Sequence, residues 1–247
     1  MNELSKTIQS VEEEKELVSR SLKILGDVGK NSIIEAISLS IEGSTLKDST
    51  QFSRFAQINR HQGKLRCHKA KIKQLDGGEV HATTLTIDSA LSGDIYAQDV
   101  IINNVHSDLN IFASNSISIN NILGLNNTFT IDYKSIPILD SKLDLIAEDV
   151  DTLKNQLEDA LKHNPSETET IEQKIFNLTF EKDAIVNSYK TATIIINNGL
   201  KAKNTIKFIV HDKQLVFSSE NENYSTFKLI IDTNSITLSP TQKKILI

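Results

Sequence analysis

Cys67 and His68 stand side by side in the stretch LRCHKAKIKQL, residues 65 to 75. A thiol beside an imidazole is the pairing that activates a nucleophile or holds a soft metal ion. Arg66, His81 and Tyr96 follow one another at intervals of 15 residues and make a trio of the kind that binds an anion. Charge adds a third feature. Between Ser49 and Leu75 stand Arg54, Arg60, Lys64, Arg66, Lys69, Lys71 and Lys73 without one Asp or Glu, in a chain whose formal net charge is −5. Gathered on one surface, these seven would attract phosphate-rich or acidic partners.

What any of these residues can do depends on the elements that carry them. Ile24, Ile41, Ile58, Ile72, Ile87, Ile102 and Ile119 recur at spacings of 17, 17, 14, 15, 15 and 17. Two positions earlier stand Leu22, Leu39, Ala56, Ala70, Leu85, Val100 and Ile117, the period of 2 that a strand requires. Five positions before each Ile the residue is small: Ser19, Ala36, Ser53, Cys67, Ala82, Ala97 and Ser114. Seven before, the column reads Leu17, Ile34, Gln51, Leu65, Val80, Ile95 and Phe112.

A period of this length is too short for helical repeats and fits one turn of a narrow β-solenoid. The pattern predicts a mainly β chain with about seven rungs between Leu17 and Ile122, inside a β-helix domain spanning 17–136. Gly26, Gly43, Gly63, Gly77, Gly78 and Gly93 fall between the apolar clusters, where positive φ is expected.

Cys67 falls in the small inward column, which makes it a corner filler with an inert thiol, and His68 has no second ligand nearby. Arg66, His81 and Tyr96 belong to an outward column reading Val18, Glu35, Phe52, Arg66, His81, Tyr96, Ala113. A second outward column reads Lys23, Ser40, Gln57, Lys71, Thr86, Ile101, Ser118. Neither stacks two carboxylates, the pair that glycosidic cleavage requires, so a carbohydrate-active β-helix enzyme is the weakest reading. Asp88 should face Lys73 and Asn103 on neighbouring rungs as a surface charge pair. His61 and His106 sit near corners and should face solvent. No cofactor or metal is expected. The basic run should form a band on the rod, a site for an anion or an acidic protein. Nucleic acid is disfavoured, since no aromatics are interleaved with the charges.

From Leu139 the apolar period lengthens to that of a helix. Leu143, Ile146, Val150, Leu153, Leu157 and Ala160 form one stripe, and Ile171, Ile175, Leu178, Lys182, Ile185, Tyr189 and Ala192 another. The short connection through His163, Asn164 and Pro165, with Ser166 and Glu169 as a capping box, predicts an antiparallel coiled-coil hairpin over 137–192. Runs such as TATIIINN, TIKFIVHD and STFKLIID predict a small antiparallel β segment over 193–247. Residues 1–16 are charged and helix-compatible through Leu4, Ile8 and Val11, and could cover the open end of the solenoid.

Composition narrows the setting. The chain has 247 residues, 38% hydrophobic content, no Trp and one cysteine, so an intramolecular disulfide is impossible. It contains no apolar run of the ~20 residues a membrane helix needs, and its start lacks the order of a signal peptide, so a cytoplasmic location without membrane insertion is expected.

The order of parts resembles the flagellar assembly protein A family. The resemblance rests on GDVGKNSIIEAISLSIEGSTLKDS (26–49), INRHQGKLRCHKAKIKQLDGGEVHA (58–82), HSDLNIFASNSISI (106–119) and NNTFTID (126–132), followed by the helical and β segments. It covers residue 17 onward and lies in the ordered series rather than in one motif. It implies a right-handed β-helix with a hairpin and a terminal β segment, and a role in flagellar assembly or cell organisation. Relatives usually carry another domain before the β-helix, and here about one rung of chain precedes it. The family offers no catalytic residues to carry over. The expected function is therefore a non-enzymatic scaffold acting through protein partners or self-association, with a polyanion-binding module as the alternative.

Overall fold

An inward isoleucine every 14 to 17 residues can be buried only if successive turns stack, and that is how the chain folds. The computed structural model describes residues 5–210, 213–218, 224–231 and 235–242. Strands β1 (Lys6–Ile8), β2 (Glu16–Ile24), β3 (Ile33–Thr45), β4 (Thr50–His61), β5 (Lys64–Val105), β6 (Leu109–Ile122) and β7 (Thr128–Ile131) pair in parallel in sequence order. The result is a β-solenoid of about seven turns. β5 alone runs for 42 residues and carries Ile72, Ile87 and Ile102. Ile24 pairs with Ile41, Ile41 with Ile58, Ile58 with Ile72, and Ile102 with Ile119. All seven are buried, each worth about 1.5–3 kcal/mol of transfer free energy.

Three expectations at the edges of the repeat are corrected. First, residues 6–8 are not helical. Lys6, Thr7 and Ile8 pair with Leu22, Lys23 and Ile24, and Val11 bridges Val28. The open edge of β2 offers unpaired backbone groups, and this strand satisfies them while placing Ile8 on the isoleucine ladder. Leu4 lies outside the described residues.

Second, the seventh turn holds one extra residue. Ala97 pairs with Ala113 and Asp99 with Ser116, so two residues oppose Gln98. An extra residue flips every side chain before it. Ile111 and Ala113, rather than Phe112 and Ser114, therefore continue the inward columns, and Phe112 rather than Ala113 joins the outward one.

Third, the C-terminal region is not a separate antiparallel sheet. β8 (Thr193–Ile196) pairs in parallel with β6, setting Ile196 on Ile119, and β9 (Thr205–Val210) pairs in parallel with β7. Both continue the solenoid, because IINN at 195–198 repeats the pattern of SINN at 118–121. Only β10 (Lys213–Ser218), β11 (Tyr224–Ile231) and β12 (Ile236–Gln242) are antiparallel: β10 on β9, β11 on β8, and β12 on β11.

The hairpin is thus an insertion between β7 and β8. Its helices are α1 (Pro137–His163) and α2 (Thr168–Val186). Lys142 near the start of α1 pairs with Glu181 near the end of α2, which makes the pair antiparallel. Leu139, Ile146, Ala160 and Ile171 are buried in the seam. Lys182 points to solvent, and Glu181 stands at the seam edge instead, because the step from Leu178 is three residues rather than four. The capping box does not form. Pro165–Glu167 makes a 3-10 turn that delays the helix to Thr168, and Ser166 donates to Asn164 Oδ1 at 2.8 Å. No helix among the described residues is long and apolar enough to cross a membrane.

One corner of the solenoid demands a left-handed residue in most turns. Glu14, Asn31, Asp48, Asp108, Asn126 and Lys203 have φ between 55° and 62°, and Gly78 has φ of 79°. Gly26, Gly43 and Gly63 do not have positive φ; there a Cβ would lie within 2.7 Å of the backbone oxygen of the turn before.

Candidate functional site

The seven basic residues do not form one band, because alternation along each strand and the bends between walls send them to different surroundings. Arg60 donates through Nε to Asp76 Oδ2 at 3.0 Å, and Gln62 Nε2 donates to the same oxygen at 2.8 Å. The Arg60 bond, then that of Gln62, holds the Asp76 carboxyl below the usual carboxylate range. Lys64 Nζ lies 3.8 Å from Glu79, a carboxylate also bonded to His81. The Arg54 guanidinium sits 5.5 Å from the centre of the Phe55 ring. These contacts hold three of the seven in local pairs.

Lys69, Lys71 and Lys73 remain together. They occupy alternate positions of β5 and so share one outward wall. None has an ion-pair partner among the described residues. In register, Lys69 lies beside Phe55 and Lys71 beside Gln57 on the preceding turn. A shallow cavity of about 370 Å³ lies among Glu42, Asn59, Lys71, Lys73 and Asp88. Asp88 accepts from Asn103 Nδ2 at 3.3 Å as the spacing suggested, but it forms no ion pair with Lys73.

Arg66 belongs to a different site. The first turn of α1 lies across the wall that carries the outward column, and the two enclose a cavity of about 370 Å³. Ile136, Pro137, Ile138 and Ser141 line it on the helix side, and Arg66, Cys67, His68, His81, Ala82 and Tyr96 on the solenoid side. His81 stacks on Tyr96 with centroids 4.8 Å apart, and Tyr96 on Phe112 at 5.1 Å. Burial, then the charge of Asp94, raises the Tyr96 phenol. His81 and Tyr96 are therefore set by stacking, with Phe112 completing the column. The extra residue in turn seven hid Phe112 from a count back from Ile119.

Cys67 occupies the corner column expected of it but is only half-buried, open toward this cavity. Burial pushes its thiol up to about 12, the opposite of an activated nucleophile. His61 is not at the surface. Its wall carries an inward ladder of Val11, Val28, Thr45, His61 and Leu75, and His61 is fully buried there.

Repeated asparagines form a further feature of the outer surface. Asn120 donates to Asn103 Oδ1 at 2.8 Å, and Asn197 donates in turn to Asn120. Beside them Asn121 donates to Asn104 Oδ1 at 3.1 Å, and Asn198 to Asn121. The threefold dipeptide NN after an inward Ile, at 103, 120 and 197, was the available signal. These ladders tie β8 to β6 across the 61 inserted residues 132–192.

No family model, curated protein or solved structure matches the chain.

Proposed function

We propose that the chain is a non-enzymatic scaffold of the flagellar assembly protein A type, placed in the cytoplasm and acting through protein partners. The observation that carries this reading is the placement and surface of the hairpin. The isoleucine ladder and the asparagine ladders resume in register after it, so the turns on either side stack without it. Beyond its first turn the hairpin packs on itself, and it exposes Phe176 and Phe180 of α2 at 64% and 68%. Two large aromatic side chains on an arm that the rod does not need are a surface for another protein. The ordered sequence stretches that resemble the flagellar assembly family support the type.

A second reading, a polyanion-binding module, is favoured by Lys69, Lys71 and Lys73, which have no ion-pair partner among the described residues. Light scattering over a concentration series, with affinity capture from a flagellated bacterium, tests the first reading. Assembly or a captured partner that is lost in Phe176→Glu/Phe180→Glu is the expected result. A chain that stays monomeric throughout and retains no protein overturns it. For the second, Lys69→Ala/Lys71→Ala/Lys73→Ala should abolish retention on a heparin column, and unchanged retention removes these lysines from consideration.

A further inference from the structure

The outer face of α2 and the lysine wall of β5 are complementary, and among the described residues neither is covered by its own chain. On a helix of 3.6 residues per turn, Glu169, Glu172, Phe176, Phe180 and Asp183 fall on one stripe, opposite the seam formed by Ile171, Ile175, Leu178 and Ile185. All five of the stripe are exposed. The whole hairpin, residues 137–186, carries twelve Asp or Glu against five Lys, whereas residues 49–75 carry seven Lys or Arg and no acid.

The two surfaces match in apolar content as well as in sign, the lysine row being the shorter of the two. Lys69, Lys71 and Lys73 stand at alternate strand positions roughly 7 Å apart, a row of about 14 Å. The α2 stripe from Glu169 to Asp183 is about 21 Å long, with acids at both ends and the two phenylalanines between. Phe55, 45% exposed, pairs in register with Lys69 and supplies the lysine wall with an aromatic contact. A phosphate or sulfate polymer would meet the lysines and leave Phe55 unmatched; the α2 stripe meets both.

We infer that the outer face of α2 in one copy of the chain docks on the Lys69, Lys71 and Lys73 wall of a second copy. The contact is heterologous, since each copy brings a different surface, and so it propagates into an open row or closes into a ring. The charges steer encounter and set the register, and the phenylalanines provide the desolvated centre. This inference rests on the scaffold reading and names self-association as its mode.

Sedimentation velocity of the full chain over a concentration series tests it, with two charge-reversed variants, Lys69→Glu/Lys71→Glu/Lys73→Glu and Glu169→Lys/Glu172→Lys/Asp183→Lys. The wild type should assemble at low salt and dissociate at ~0.5 M salt, where screening reaches contact distance. Each variant alone should need at least tenfold more protein to assemble, because its two surfaces now carry like charge. An equimolar mixture should assemble again, since each variant supplies the surface the other needs. Circular dichroism checks that both remain folded, and Phe176→Ala/Phe180→Ala, which leaves charge unchanged, should weaken assembly as well. Variants that assemble like the wild type, or a mixture that does not recover, overturn the docking while leaving the scaffold reading in place. A monomeric wild type that captures another protein does the same. A monomeric wild type that binds heparin through the lysines gives the wall to a polyanion instead. Capture of nothing removes both readings.

Discussion

Thr45 Oγ1 and His61 Nδ1 lie 2.6 Å apart inside the solenoid, on a ladder that is otherwise aliphatic from Val11 to Leu75. Burial lowers the His61 pKa from 6.5 to about 4, so the imidazole is neutral in the folded chain at pH 7. In the unfolded chain it takes up a proton near pH 6.5. Between these values the unfolded state binds more protons, and stability falls as pH drops from about 6.5 towards 4. The loss attributable to His61 is about 3 kcal/mol by pH 4. Urea denaturation at pH 7 and pH 4.5 should show a larger drop in midpoint for the wild type than for Thr45→Val/His61→Leu, which continues the aliphatic ladder. Equal drops would show that another group carries the acid sensitivity.

Gln51 takes the inward place that Ile34 and Leu65 hold on the neighbouring turns, and both polar atoms of its amide are buried without a partner. Each unsatisfied group costs about 1–3 kcal/mol. Gln51→Leu should therefore raise the thermal midpoint, measured by calorimetry. A lowered midpoint would mean that the amide is satisfied by internal water.

Cys67 should resist alkylation. With its thiol pushed up to about 12, the thiolate is scarce at pH 8. Reaction with iodoacetamide in the folded chain should be about a thousandfold slower than in urea. A folded-state rate close to that of a free thiol would restore Cys67 as a reactive group facing the cavity beneath α1.

Lys203 has φ of 59° at the corner where other turns place Asn, Asp, Gly or, at position 14, Glu. Its Cβ makes that conformation costly, and Lys203→Gly should stabilise the chain by about 1 kcal/mol. Chemical denaturation measures the difference, and a destabilised variant would mean that the lysine side chain contributes more than its backbone costs.

The isoleucine column was legible because one inward position of each turn meets the same stacked surroundings and is filled by isoleucine every time, while the other inward positions vary. That is why Ile24 to Ile119 could be aligned by spacing alone. The same counting failed at Phe112, where one extra residue before Ser116 moved the register, since spacing records length and not the point at which a turn bulges. The basic run failed differently. Arg60 and Lys64 were neutralised by Asp76 and Glu79, which lie outside the run in sequence and one turn away in space. Ile194 to Asn198 repeats the earlier turns, yet 62 residues separate Ile194 from Ile131, so spacing alone does not return the chain to the same ladder. The outer stripe of α2 was visible in the sequence, but a seam had to be placed before Phe176 and Phe180 could be seen to lie outside it.

The insertion between Ile131 and Thr193 also sets an order of events during synthesis. Turns from Glu16 to Ile122 can zip one on another as the chain leaves the ribosome, each closing a short loop. The strands from Thr193 to Gln242 must wait until 61 residues have folded back on themselves and brought Thr193 beside Ser116. Until that latch closes, the trailing end of the nascent rod is an unsealed template, and the hairpin acts as the timer that decides how long it stays so.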